Sequence, residues 1–379
     1  MRKKYETREA CFVCTTPYQI LGAISIVRSE NIDADMYVFG TFSGYEEIAG
    51  KLREQKLFGH VYSVDCEEMS FFGKGMSQAK AKLKILQQMA FPERCFKGVL
   101  EKDVAYSRFY SSSRAHAKVL LQRILQKRNP DMRTTIYDDG LGSYLEDSHV
   151  LKTSRDRQIM ERLLGWHLFD PGKVDIELYL PSIAQIPEEL EGCPVKEMPL
   201  LDWGHGEAKR IINAVFGKAG EEVQDGKIIL FDNVRGLTSR RQMFEKIDEC
   251  YREIISLAGK ENVLFKGHPR SMEEPAIEMN RVTGSVPMEV FYSNMDDLEG
   301  KVLVAYNSTA TYTPKLLFGK EPRVINLHRI VGGPMQQNSE TLYRTFLPTY
   351  EDKGRLLAPE TTEELRQMIT DIMKEEKQP

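Results

Sequence analysis

Five consecutive residues, Lys266-Gly267-His268-Pro269-Arg270, bring two fixed cations and a titratable imidazole to the exit of an apolar run, Asn262 to Phe265, that reads as a strand. Open parallel sheets receive ligands at the carboxyl ends of their strands, so this loop suits an anion. Further along, Ser308-Thr309 opens a helical pattern after the strand Lys301 to Ala305. Its hydroxyls and unpaired backbone N–H groups suit a phosphate oxygen, and they serve equally well as an ordinary helix cap. In the first half, Asp138-Asp139-Gly140 leaves the strand Thr134 to Tyr137, and Thr15 to Gln19 leaves the strand Ala10 to Cys14. Two carboxylates with glycine behind them suit a site loop, or a turn held by Asp and Gly for local geometry.

These exits require elements to position them. Strand and helix patterns alternate from the N-terminus: Met36 to Phe39, Tyr45 to Gln55, Val61 to Val64, Ala105 to Tyr110, Arg114 to Gln126. From Leu151 to Met198 the rhythm weakens, with a strand at Ile176 to Tyr179. A helix at Glu207 to Phe216 precedes a polar stretch, Gly217 to Gly226, that reads as a linker. The rhythm then resumes with the strand Ile228 to Phe231, a helix capped by Thr238 or Ser239 and running to Leu257, a short helix Pro287 to Ser293, a helix Ala310 to Phe318, a strand Arg323 to Leu327 and a last helix opened by Thr361. The expectation is an α/β chain of two domains, 1–216 and 227–379, with the site in the cleft they face.

The 379 residues exceed one ordinary core, in keeping with two domains. A net charge of −4, from 52 basic and 56 acidic residues, gives no global reason to bind nucleic acid. Cys11 and Cys14 lie inside an apolar strand with no second ligand pair, which favours plain core thiols in a reducing compartment over zinc or redox chemistry. The polar Met1 to Ala10 reads as neither signal peptide nor anchor, and no long apolar window follows, so a cytoplasmic location is expected, at most peripheral to a membrane. The Lys-rich amphipathic stretch Lys74 to Gln88 fits an anionic surface or a solvated helix face.

A carboxylate in one half can take a proton from an incoming hydroxyl while His268 stabilises or protonates a departing phosphate in the other, which describes glycosyl transfer from a nucleotide sugar. The Asp-x-Asp letters of a metal site occur at Asp33 and Asp35, and an Asp pair at Asp296-Asp297, but both precede their strands, at the wrong end of a sheet. No metal or other cofactor is therefore expected.

Taken in order, the acidic pair with Gly at Asp138 to Gly140, the His268-Pro269 pair and the Ser308-Thr309 pair resemble the signals of bacterial sialyltransferases. Cys-Thr-Thr-Pro-Tyr-Gln-Ile-Leu, Cys14 to Leu21, is similar to the N-terminus of glycosyltransferase family 52, the lipooligosaccharide sialyltransferase group. The resemblance implies a GT-B architecture of two Rossmann-like domains, the first on the acceptor side and the second binding the nucleotide sugar. It implies inverting transfer of sialic acid from CMP-sialic acid to a terminal sugar of a bacterial surface glycan. His268 would be the general acid or phosphate ligand, Ser308 and Thr309 phosphate binders, Lys266 and Gly267 the cytosine contact, and Glu289 the ribose contact, with Pro269 and Arg270 completing the donor loop. Thr16, Gln19 and Gly140 fall on the acceptor side. The base would be Asp138, then Asp139, with Asp232 the alternative that the lipooligosaccharide enzymes suggest. Family 52 also includes glucosyl transfer, and a non-catalytic nucleotide-sugar binder remains open. Its members include dimers, and no feature of this sequence decides that point.

Overall fold

The computed structural model describes residues 5–66, 69, 78–140, 159, 161, 163–166, 168–181, 184, 186, 188–201, 206–218, 226–236, 240–268, 271–282 and 286–375. The chain forms two compact units, Met1–Leu201 and Asp202–Pro379. The division falls ahead of the helix Glu207–Phe216, which the sequence reading assigned to the first domain.

The first unit is built on one seven-stranded sheet. Its elements are β1 (Glu6–Cys14), α1 (Pro17–Glu30), β2 (Ala34–Phe39), α2 (Tyr45–Gln55), β3 (Val61–Val64), α3 (Gln78–Ala90), β4 (Val104–Ser111), α4 (His116–Arg128), β5 (Arg133–Tyr137), β6 (Ile176–Leu180) and β7 (Val195–Glu197). The strands lie in the order β3-β2-β1-β4-β5-β6-β7, and every pair is parallel. A parallel sheet is covered on both faces, so its central strands need not alternate. Ala10 through Cys14 are accordingly all buried, and Cys11 joins Val13, Tyr37, Phe39 and Tyr106 in one core cluster. All six cysteines are free thiols. Thr16 caps α1 by accepting from Gln19 N, and Pro17 occupies the first turn, where no N–H is required.

The second unit repeats the plan. It comprises α5 (Glu207–Phe216), β8 (Ile228–Phe231), α6 (Arg241–Ala258), β9 (Val263–Lys266), β10 (Asn280–Arg281), α7 (Met288–Asn294), β11 (Val302–Ala305), α8 (Thr313–Phe318), β12 (Arg323–Asn326), α9 (His328–Val331), α10 (Gln336–Phe346), β13 (Leu356–Leu357) and α11 (Thr362–Glu375). The sheet order is β10-β9-β8-β11-β12-β13, again parallel throughout. Helix α6 buries Phe244, Ile247, Tyr251 and Ile254 at helical spacing against the sheet and against Leu365, Ile369 and Ile372 of α11. Each such side chain contributes roughly 1.5–3 kcal/mol when fully buried. The Thr361 hydroxyl accepts from Glu364 N at 3.2 Å, the cap its sequence announced.

Two open, all-parallel α/β sheets with crossover helices make the chain a pair of Rossmann-like domains, the composition of a GT-B fold. Among the described residues no helix is long and apolar enough to cross a membrane. The linker residues 219–225 and the cap candidates Thr238 and Ser239 lie outside the described residues.

Candidate functional site

In the first sheet, strand order reverses between β1 and β4, and open α/β sheets hold ligands at such a switch point. Three exits meet on this edge. Gln19, on the first turn of α1, is buried, and its amide Nε2 donates to Asp139 Oδ1. Its Oε1 accepts from Thr15 N at 2.6 Å, Thr15 Oγ1 at 2.9 Å and Lys118 Nζ at 2.9 Å. Lys118, on α4, is only 1% exposed and also donates to Ser112 Oγ at 3.0 Å. Burial pushes its ammonium down to about 8, with Asp139 and Cys14 opposing. Burial likewise pushes the Asp139 carboxyl above the ordinary aspartate value, against Lys118, Gln19 and Ser112. Asp138 is buried too, and Tyr18 OH donates to its Oδ2 at 2.5 Å. Gly140 then takes φ +80, a left-handed turn that a branched residue would resist.

The two carboxylates are thus separated by chemistry: a neutral phenol holds one, and an amide backed by a lysine holds the other. Lys118 and Tyr18 escaped the sequence reading. The usable signal for Lys118 was its place within the buried run Lys118 to Gln122 of α4, where a lysine needs partners.

In the second sheet the reversal lies between β8 and β11. Asn233, leaving β8, donates from Nδ2 to Asn307 O, leaving β11, at 2.6 Å. The Oδ1 atoms of Asn233 and Asn307 are both buried without a hydrogen-bond partner among the described residues. Buried acceptors left unsatisfied are costly, so these two oxygens call for donors. The neighbouring exit of β9 is tied to it. Ser271 N donates to His268 O at 2.9 Å, Ser271 Oγ donates to Asn233 O at 3.1 Å, and Arg235 N donates to Ser271 Oγ at 3.0 Å. Lys266 and Glu289 come together electrostatically, with Lys266 Nζ 5.3 Å from the centre of the Phe291 ring. Burial lowers the Lys266 ammonium and raises the Glu289 carboxyl, and each opposes the shift of the other. Gly267 follows Lys266 directly out of β9.

Ser308 and Thr309 differ from expectation in local structure. The predicted helix Ala310 to Phe318 is a single tight turn, Thr309–Thr311, followed by α8. Pro314 lacks an N–H and fits the first turn of α8, which therefore starts there. Ser308 Oγ caps the tight turn by accepting from Ala310 N at 3.3 Å, and Tyr292 OH donates to Ala310 O at 2.6 Å.

Asp232 is buried in an ion pair. Arg235 donates to both its oxygens, at 2.5 and 3.2 Å, and to Asp248 at 2.6 Å. Burial pushes the Asp232 carboxyl up, with the Arg235 guanidinium pulling against it. This geometry suits a loop brace better than a base. Asp35 accepts from Arg8 NH1 and Tyr106 OH, each at 2.6 Å, so that half of the Asp-x-Asp letters serves the core. Among the described residues no three His, Cys, Asp or Glu side chains gather as a metal-holding group. Pro269 and Arg270 lie outside the described residues.

No family model matches the chain, and no curated protein matches it in sequence. Among solved structures it is similar to spinosyn rhamnosyltransferase SpnG, at 12% identity over 97% of this chain and 96% of that one, TM-score 0.40. It is also similar to CalG4, the calicheamicin glycosyltransferase, at 13% identity over 97% and 94%, TM-score 0.48. A third is UDP-N-acetylglucosamine 2-epimerase from Rickettsia bellii, at 10% identity over 98% and 97%, TM-score 0.42. Likeness at this level leaves the reaction to be argued from the residues.

Proposed function

We propose that this chain is a glycosyltransferase and, more finely, an inverting sialyltransferase that uses CMP-sialic acid and needs no metal. The observation that carries the reading is the meeting of the β8 and β11 exits, where two buried amide oxygens, Asn233 Oδ1 and Asn307 Oδ1, lack donors among the described residues. His268 is bound to the same loops through Ser271, and Ser308 follows Asn307 directly. A nucleotide offers amino and ribose hydroxyl donors to such oxygens and a phosphate to the imidazole and hydroxyls.

In the reaction, the acceptor hydroxyl oxygen bonds to the anomeric carbon as the bond from that carbon to the CMP phosphate oxygen breaks. Asp138 takes the hydroxyl proton, and His268 donates a hydrogen bond or a proton to the departing phosphate. Lys266 and Glu289 recognise the nucleoside, Ser308 and Thr309 the phosphate. The acceptor is a glycan with a terminal sugar, galactose being the first choice.

The test is CMP release from CMP-sialic acid with a galactose-terminated glycan, compared with UDP-glucose and UDP-galactose. Turnover confined to a UDP sugar would replace the donor. Donor binding by calorimetry, without turnover on any acceptor of a glycan array, would reduce the chain to a binding protein.

A further inference from the structure

Helix α3 carries a surface that the proposed reaction does not use. From Met69 to Pro92 the sequence has no Asp or Glu, although the whole chain bears a net charge of −4. Within the described part, α3 turns Met89 and Gln88 inward and leaves Leu83 56% and Leu86 43% exposed. Phe91, just beyond its end, is 53% exposed, and the Arg94 guanidinium lies 4.6 Å from the centre of its ring. Lys80, Lys82 and Lys84 interleave the leucines, with Lys80 and Lys82 exposed. The turn Pro92–Phe96 then leads into a cavity of about 430 Å³ with Phe96 and Ile124 in its lining and Lys97, Lys102, Lys127 and Arg128 around them. Glu93, the one carboxylate there, pairs with Lys127 at 3.7 Å. The cavity also holds Tyr5 and Lys102, which precede β1 and β4, so it lies at the amino edge of the first sheet, opposite the exits of Gln19 and Asp139.

We infer that this face docks on the surface of an anionic lipid bilayer. The exposed Leu83, Leu86 and Phe91 enter the boundary between headgroups and acyl chains, and the lysines with Arg94 meet the lipid phosphates. A basic helix without a carboxylate on an otherwise acidic protein is complementary to such a surface and not to a second copy of its own chain, whose matching face is equally basic. Docked this way, the carboxyl edge of the first unit stays open to a glycan.

The full chain is sedimented with phosphatidylcholine vesicles and with vesicles that also contain phosphatidylglycerol. Binding is expected only to the anionic vesicles, and to fall as salt is raised from about 0.1 M to about 1 M, over which the screening length drops from roughly 10 to 3 Å. Each of Lys80→Gln, Lys82→Gln and Lys84→Gln should weaken binding roughly fivefold. The triple variant L83S/L86S/F91S should lose binding while keeping the wild-type unfolding midpoint and CMP-sugar binding. Equal binding to both vesicle types, or variants that bind like wild type, would overturn the inference. So would a dimer in ultracentrifugation that L83S/L86S/F91S dissolves, with no vesicle binding by the wild type.

Discussion

Lys118 donates to the amide oxygen of Gln19 at 2.9 Å while the amide nitrogen of the same side chain donates to Asp139. The amide is a relay between a buried cation and a buried carboxylate: Gln19 follows β1 and Lys118 lies on the helix after β4, the two strands that flank the switch point, and Asp139 follows β5, the next strand out.

Replacing Lys118 with Met should therefore leave the Asp139 carboxylate without its cation. The expected loss is roughly 1–3 kcal/mol, the range for buried polar groups left without a partner, measured by urea unfolding near neutral pH. The lysine's folded value of about 8 lies below its ordinary 10.5, so between these values the unfolded chain binds more protons. The sign is then positive: this group makes the wild type gain stability as pH rises through that window, and Lys118→Met should lack the gain. An identical slope in both proteins would show that Lys118 does not titrate there.

If the proposed reaction holds, His268→Ala should reduce transfer by about 10²–10⁴, the usual contribution of a positioned acid or base, with the unfolding midpoint unchanged. The side chain belongs to an exit loop and not to the core. Near-wild-type transfer would remove His268 from the reaction.

Asp138→Asn and Asp139→Asn should differ in kind. The first is expected to lose kcat with little change in donor binding by calorimetry, because it removes the proposed base. The second is expected to be felt first in unfolding, because it removes the negative end of the relay to Gln19 and Lys118. Reversal of these two signatures would exchange their roles.

Arg235→Ala should cost roughly 3–5 kcal/mol, since it strands the buried Asp232 next to Asp248. Asp232 itself should then reveal a structural role: Asp232→Asn should shift the unfolding midpoint before it affects kcat. A kcat loss with unchanged stability would restore Asp232 as the base.

A chelator such as EDTA should leave initial rates of transfer unchanged, in line with the proposed metal-free chemistry. Loss of rate, restored by a divalent cation, would refute that part of the reading.

Elements were legible where apolar residues ran together or recurred along one face. Tyr45–Gln55, Val61–Val64 and Ile228–Phe231 end where their patterns end. The edge strand Val195–Glu197 escaped because a three-residue strand with exposed and half-buried positions has no apolar signature. Helix α10 escaped for a related reason: in QQNSETLYRTF only Ser339, Leu342 and Phe346 are buried, too few to mark a face by eye. Site partners were less legible still. His268 and Asp139 stand out as chemistry, whereas Lys118 is one lysine among many until a fold places Gln19 and Ser112 around it.

Gln19 also has a fixed orientation. Three donors surround its oxygen, so the amide has one sense in which it can sit, and a carboxylate there would face Asp139 with like charge. Turned over, the amide would set its nitrogen against three donors and its oxygen against the Asp139 carboxylate, so the side chain works as a key that fits its lock one way.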